Sequence, residues 1–545
     1  MRLSIALLLF SLIAAMSAGA SGQSPAASTG AVAAPQIPPT VTYDDYHSTS
    51  IPLRDAAQIP PGTHGGYLIP LHRTSPKAIP QPVTGMHSLP RLIGAPAPAV
   101  STKNLVTFEG VSNVNGLYPP DPNAAVGATQ VVETVNVSYE VFNKSGTPLL
   151  GPFEIPSIWA ANPPFGGVCE NGPYFSDPVV LYDHIAGRWL ITEIASSNAF
   201  ATGTECIAVS TSSDATGSYN RYAYSFNILN DYPKFGIWPD AYYGTYNPFS
   251  SGGLEGGGFA CAYDRNAMIA GTTAAQICLN PPGLGHGNYV ESFLPSDLDG
   301  STLPPSGSPN YLIGTFNGGG YMSKFHVDFI HPSNSTISAP VSILGSGAGC
   351  GTGTGIQTCI PQPGTSERLD SLGDRLMYRL AYRNFGSHES LVTCASGPSF
   401  NQFGRQVLES PYWFEVRGLS GIASVYQSGV YNPDELQLRW MCSIAMDKNG
   451  NIALGYSISG VAGITTYPGI RVTGRLQSDP KGTMGGETIL QSGGGSQTGT
   501  NRWGDYTSMS IDPTDDLTFF YTNEYYPTTS ASNWHTRIAS FQLGP

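Results

Sequence analysis

The sequence predicts an all-β fold, most simply a seven-bladed β-propeller with six blades as the alternative. Three observations carry that expectation. Charged residues make up only 12% of 545, about half the ~25% usual in globular domains. Gly (65) and Pro (45) are abundant, whereas long amphipathic helices need many charges and few glycines. A strand–turn–strand unit also recurs, and its starts are spaced almost evenly. Full disorder is excluded because 40% hydrophobic content with 29 Tyr and 22 Phe can build a core.

Taken in chain order, residues 1–20 read as a signal peptide. Arg2 is followed by an apolar run from Leu3 to Met16 and by Ala18-Gly19-Ala20, a small-residue cleavage pattern. The run is shorter than the ~20 residues that span a bilayer. A secreted protein, extracellular or periplasmic, is therefore expected, without membrane insertion. Residues 21–103 form a Pro/Ala/Ser-rich leader or linker, largely irregular. The β-propeller domain is expected over 104–545.

The recurring unit is an apolar strand ending in Asp, a polar turn and a returning strand. It appears at Val179–Asp183 with Arg188–Thr192, and at Ala260–Asp264 with Ala267–Ala270. It returns at Ser443–Asp447 with Ile452–Tyr456, and at Ser508–Asp512 with Leu517–Tyr521. Asp suits the turn because its carboxylate accepts hydrogen bonds from N–H groups just ahead. First-strand starts are expected at Asp121, Asp177, Asp240, about Asn310, Asp374, Met441 and Asp505, with gaps of 56, 63, 70, 64, 67 and 64 residues. Such a period holds a four-stranded blade with generous loops. Only 41 residues run from Asp505 to Pro545, so Leu105–Phe108 is expected to supply the missing strand and close the ring.

The eight cysteines contain no CxxC pair, which favours disulfides over a metal site in an exported chain. Closeness in sequence favours Cys261–Cys278 and Cys350–Cys359, leaving Cys169–Cys206 and Cys394–Cys442. The net charge of −13 comes without a basic stretch, so nucleic acid is a poor partner. A monomer is expected.

In a propeller the first strand of each blade begins at one rim of the central channel. Charges are rare in this chain, yet acids, bases and Trp recur at these starts: Asp121, Asp177, Lys234, Trp238 and Asp240, Asp374 and Arg375, Arg439, Trp503, Asp505 and Tyr506. Turn capping and packing between blades explain any one of them. Together they suggest a carbohydrate site, where aromatic faces stack on sugar rings and a carboxylate pair serves as acid and base or nucleophile. Asp374 and Asp505 are the expected catalytic pair, with Arg375, Arg439, Trp503, Tyr506, Trp238, Asp240, Lys234 and Asp177 as substrate contacts. A ring of Asp oxygens would also suit Ca²⁺. Arg375, Arg379 and Arg383 share one strand face at period two; they either clamp an anionic sugar or pair with acids of neighbouring blades. No GxSxG elbow, HExxH helix or phosphate-binding loop is present.

The segments Asp231–Asp240 (DYPKFGIWPD), Arg375–Gly386 (RLMYRLAYRNFG), Arg502–Pro513 (RWGDYTSMSIDP) and Phe519–Tyr525 (FFYTNEY) resemble those of secreted bacterial proteins described as sialidase-like β-propellers. The resemblance covers roughly 105–545 and implies a propeller outside the cytoplasm, with no settled activity to carry over. The sialidase Asp-box (Ser-x-Asp-x-Gly-x-Thr-Trp) does not occur here, so the resemblance assigns no catalytic residue. The expected function is a glycan-active or glycan-binding protein, either a glycoside hydrolase or a polysaccharide lyase. The alternative is a non-catalytic scaffold or adhesion module that binds protein or a cell-wall polymer.

Overall fold

The computed structural model describes residues 38–65, 100–250, 253–344, 358–400 and 406–545. The expected signal peptide, Cys350 and the leader outside 38–65 and 100–103 lie beyond these residues. The chain is nearly all β, with short helices at Ser157–Ala160, Gly167–Asn171 and Arg265–Ala270. Seven strands each lead an antiparallel run, and we label them β1 (Asn123–Val126), β2 (Tyr174–Asp183), β3 (Leu229–Ile237), β4 (Glu291–Asp299), β5 (Leu376–Asn384), β6 (Gln437–Met446) and β7 (Ser508–Ile511).

Behind β1 follow Gln130–Val135, Ser138–Asn143 and Pro148–Glu154, each paired with its neighbour. The runs behind β2, β3, β5 and β6 repeat this meander. β4 leads a similar run and also pairs in parallel with the middle of β5, from Ser296 opposite Leu380 to Asp299 opposite Arg383. β7 is followed by Phe519–Tyr525 and His535–Gly544, and the next strand outward is Ser101–Ser112 from the other end of the domain. Leading strands touch their neighbours in order from β1 to β7, and β7 also touches β1.

These strands are buried on both faces, as strands packed between sheets must be. In β6 every residue after Gln437 is buried. Trp189, Trp413, Trp440, Trp503 and Trp534 are fully enclosed, filling the wedges between neighbouring sheets. Three disulfides are seen: Cys169–Cys206, Cys261–Cys278 between paired strands of one run, and Cys394–Cys442. The last joins the strand after β5 to β6 itself. Cys359 is also disulfide-bonded.

The Asp turns form as expected. Asp183 accepts from the N–H groups of Ile185 and Ala186 at 3.1 Å, and Asp447 from those of Asn449 and Asn451. One return differs. Arg265–Ala270 is a helix rather than a strand, because Asp264 caps its N-terminus through Ala267 N–H and Gly271 ends it in the left-handed region (φ 71°). Two starts also differ. Asn310 opens the second strand of its run, and β4 lies ahead of it. Asp240 sits in the turn after β3, at the opposite end of that strand from Lys234. Part of the Pro-rich leader is ordered: Thr40–Tyr43 pairs with Ala275–Leu279, and Tyr46–Thr49 with Tyr219–Ser225.

A local irregularity recurs near the starts of the leading strands. Asp177, Tyr232, Ser292 and Met441 have φ of 47–56°, and each lies inside a break of pairing register in β2, β3, β4 or β6. Asp121 and Leu372 take the same conformation just ahead of β1 and β5. Such bulges turn a strand and re-aim its side chains. Side chains of neighbouring runs hold several of them: Asn136 accepts Asp177 N–H, Asn247 accepts Ser292 N–H, and Ser396 accepts Met441 N–H.

Candidate functional site

The bulged starts bring charges from several leading strands into one cluster. Asp121 accepts the Asp505 N–H at 2.6 Å on Oδ1 and the Asn136 Nδ2 at 2.9 Å on Oδ2. The Asn136 Oδ1 takes the Asp177 N–H at 3.0 Å. A chain of bonds thus links the Asp121 carboxylate to the backbone N–H groups of Asp505 and, through Asn136, of Asp177. Arg502 Nη1 donates to Asp505 Oδ1 at 2.7 Å. Glu524, on the strand beside β7, accepts the Gly504 N–H.

Lys234 reaches the cluster from β3. Its Nζ lies 3.4 Å from the centre of the Tyr232 ring and 3.7 Å from that of Tyr506, and it donates to Pro233 C=O at 2.9 Å. The left-handed turn at Tyr232 folds that ring back onto the lysine, and the Tyr232 hydroxyl donates to Leu376 C=O on β5 at 3.2 Å. On the other side Arg375 stands 4.7 Å from the same ring and forks onto Asp374 at 2.9 and 3.3 Å. Asp121 and Lys234 are 0% exposed, Asp177 4% and Asp505 6%.

Burial sets the proton affinities here. It pushes Asp177 up to about 6, helped by the charges of Asp231 and Asp505 and opposed by Lys234. Asp121 rises well above the usual carboxylate range through burial and the charges of Asp505 and Asp177, and Glu524 rises through burial foremost. Lys234 falls to about 7: attraction to Asp177, Asp505 and Asp121 opposes the shift, but the loss of water dominates. An acid and a base are thus both shifted toward neutrality within one electrostatic cluster, a pattern concentrated at functional sites.

Of the residues the sequence nominates, Asp177, Lys234, Arg375, Asp505 and Tyr506 converge, and Asp374 adjoins them through Arg375. The others do not. Arg439 is fully buried and held by Glu487 at 2.8 and 2.9 Å and Asp434 at 2.6 Å. Trp503 packs on Trp440 and Tyr526 and donates to Ser457. Trp238 donates to Ser308 C=O and packs on Tyr382 and Tyr311. Asp240 accepts from Tyr243. Two more arginines of β5 are paired with acids of neighbouring runs: Arg379 with Asp297 and Asp299, and Arg383 with Asp516. Among the described residues no three His, Cys, Asp or Glu side chains are arranged to hold a metal ion, so the carboxylate ring expected for Ca²⁺ does not form.

Sequence reasoning missed Tyr232, Glu524 and Asn136. Tyr232 lies two residues from the nominated Lys234, and Arg502 stands at the same strand start as Trp503 and Asp505. Asn136 and Glu524 lie in other strands, and only the fold brings them in.

No family model matches the chain, and no curated protein does. Among solved structures, the chain is similar to the subtype N10 neuraminidase-like protein of A/little yellow-shouldered bat/Guatemala/060/2010, at 9% identity and TM-score 0.34 over 69% of this chain and 100% of that one. It is similar to an exo-β-1,3-galactanase from Phanerochaete chrysosporium, solved with galactose, at 10% identity and TM-score 0.30 over 81% and 99%. A third is the polysaccharide lyase Uly1, at 11% identity and TM-score 0.33 over 78% and 91%. No helix among the described residues is long and apolar enough to cross a membrane.

Proposed function

We propose that this chain is a secreted seven-bladed β-propeller that hydrolyses a glycan at the end of its channel where the leading strands begin. Seven antiparallel runs, leading strands in mutual contact from β1 round to β7 and back, and the pairing of Ser101–Ser112 with His535–Gly544 support the closed architecture. Each run buries an edge that would otherwise be open to another chain. The disulfides support a site of action outside the cytoplasm.

The observation that carries the chemistry is the pair Asp177 and Asp505 in one buried cluster with Lys234. Glycoside hydrolysis needs one carboxyl that still holds a proton near neutrality and one that is charged. Asp177, raised to about 6, serves as the general acid that protonates the leaving oxygen. Asp505, held against Arg502, serves as the charged partner, either nucleophile or base. The charge of Lys234 biases Asp177 toward releasing its proton; the leaving oxygen departs with that proton, and the water that adds to the sugar carbon returns one to the carboxylates. Asp374 is committed to Arg375, so it positions the guanidinium and does not itself act as an acid. Tyr506 and Tyr232 supply aromatic surface.

The test is reducing-sugar release from a panel of plant, fungal and bacterial polysaccharides by the wild-type protein, Asp505→Asn and Asp177→Asn. Cleavage lost in both variants with unchanged circular dichroism supports the reading. Binding without cleavage by the wild type, or cleavage that survives both substitutions, overturns it. Near-complete burial of Asp121, Asp177 and Lys234 favours one other reading, a non-catalytic module in which the cluster locks the blades together.

A further inference from the structure

The far ends of the same leading strands enclose a cavity of about 410 Å³, within the range of small-molecule sites. Val126, Leu181, Ile237, Asp299, Arg379 and Ser510 line it, one from each of six leading strands. None of them belongs to the cluster around Lys234, and of these six only Arg379 stands out in the sequence.

The arginines here are ion-paired in place. Arg379 Nε contacts Asp297 Oδ2 at 2.7 Å, and its Nη atoms fork onto Asp299 at 2.6 and 2.9 Å. Arg383 forks onto Asp516 at 2.6 and 2.7 Å, and Lys448 Nζ donates to Asp515 C=O at 2.8 Å. An anionic ligand would face the carboxylates of Asp297, Asp299, Asp515 and Asp516, with Lys448 held by a backbone carbonyl, and any ionic ligand would pay for its own desolvation. Paired carboxylates nevertheless keep spare lone pairs, since each can accept about four hydrogen bonds. The Ser510 hydroxyl is buried against the cavity with no hydrogen-bond partner. Val126, Leu181, Ile237, Ile511 and Pro513 give apolar wall, and the Tyr182 ring adds aromatic surface.

We propose that this cavity is a second binding site, for an uncharged polyhydroxylated ligand of one or two sugar rings. Hydroxyl edges of such a ligand would donate to the fixed oxygens of Asp299 and Asp516 and pair with Ser510. Its C–H faces would lie on Tyr182 and the aliphatic wall. A neutral polyol matches both surfaces; a purely apolar ligand would leave the polar floor unpaired, at a penalty for each group.

The experiment is saturation-transfer NMR and calorimetry on the full chain with D-glucose, D-galactose, D-xylose and their β-linked disaccharides, alongside D-galacturonate and D-glucosamine. Binding of at least one neutral sugar is expected, at least tenfold tighter than its charged counterparts. Ser510→Trp, which fills the cavity, is expected to abolish that binding. Ser510→Ala, which removes the hydroxyl without adding bulk, is expected to weaken it several-fold and serves if the larger side chain prevents folding. Asp505→Asn, at the opposite end, is expected to leave it intact. The proposal is overturned if no neutral sugar binds up to about 10 mM, equivalent to less than ~3 kcal/mol. It is equally overturned if charged sugars bind as well as neutral ones, or if Asp505→Asn removes binding that the Ser510 variants retain. Cleavage at the other end is read separately, so failure here leaves the hydrolase reading standing, and the reverse.

Discussion

The two ends of the leading strands solve the problem of buried charge in opposite ways. At the far end each arginine is clamped by carboxylates: Arg379 by Asp297 and Asp299, Arg383 by Asp516. Charge is neutralised locally beside an open cavity. At the starting end Asp121, Asp177 and Lys234 are enclosed without direct ion pairs between them, and burial shifts their proton affinities toward neutrality. Ion-paired ends hold a fold, whereas unpaired buried acids and bases cost stability and are retained for chemistry. The same strands thus carry a structural end and a reactive end.

That contrast can be broken by substitution. The largest effect on folding is expected at the far end: Arg379→Ala strands Asp297 and Asp299 and should cost about 3–5 kcal/mol, read as a fall in urea midpoint. The largest effect on activity is expected at the starting end. Asp177→Asn should lower kcat by roughly 10²–10⁴ while leaving stability at pH 8 equal or higher, because a costly buried charge is gone. If Asp177→Asn unfolds the protein and Arg379→Ala does not, the roles are reversed and the comparison fails.

A smaller, graded effect follows from pH. The hydrolase reading needs Asp177 protonated, so kcat/KM should fall as pH rises past about 6, by up to tenfold per unit. Stability carries its own sign. The folded pKa of Asp177 is raised, so its contribution is fully present below the usual carboxylate value of 3.8 and is lost as pH climbs to about 6. Lys234 is lowered, so its contribution is present above 10.5 and is lost as pH falls through about 7. Glu133, buried and raised to about 7, behaves like Asp177. It holds Val111 N–H and Thr536 beside the Ser101–Ser112 strand, so Glu133→Gln should flatten the loss of stability between pH 4.5 and 7 in equilibrium unfolding.

The starting end was partly legible in the sequence because charged residues are scarce and Asp177, Lys234, Arg375 and Asp505 sit near strand starts. The even spacing of strand starts made the repeated β runs legible, but Asp240 and Asn310 fall outside the leading strands of their runs. β3 contains Pro233 and Gly236, and β4 contains Pro295; both strands break register near their prolines. A proline inside a run argues against a central strand unless a bulge accommodates it, so neither strand shows a plain strand pattern in the sequence. Ala267–Ala270 is short and apolar, a pattern that periodicity alone cannot divide between helix and strand. The spacing of Arg375, Arg379 and Arg383 was visible, but their partners Asp374, Asp299 and Asp516 lie in three different parts of the chain. The cavity had no signature at all, since its lining comes one residue at a time from strands spread over almost four hundred positions.

The sharpest test of the contrast between the two ends is the titration of Lys234. With ¹³C-labelled lysine and Lys234→Arg to assign the resonance, NMR follows its side-chain carbons from pH 5 to 11. A midpoint near 7 that moves upward when Asp505 and Asp177 are both intact but water is admitted by Tyr506→Ala is the result expected of a buried, reactive amine. A midpoint at the ordinary lysine value of about 10.5 in the wild-type protein would contradict it and leave both ends of the strands structural.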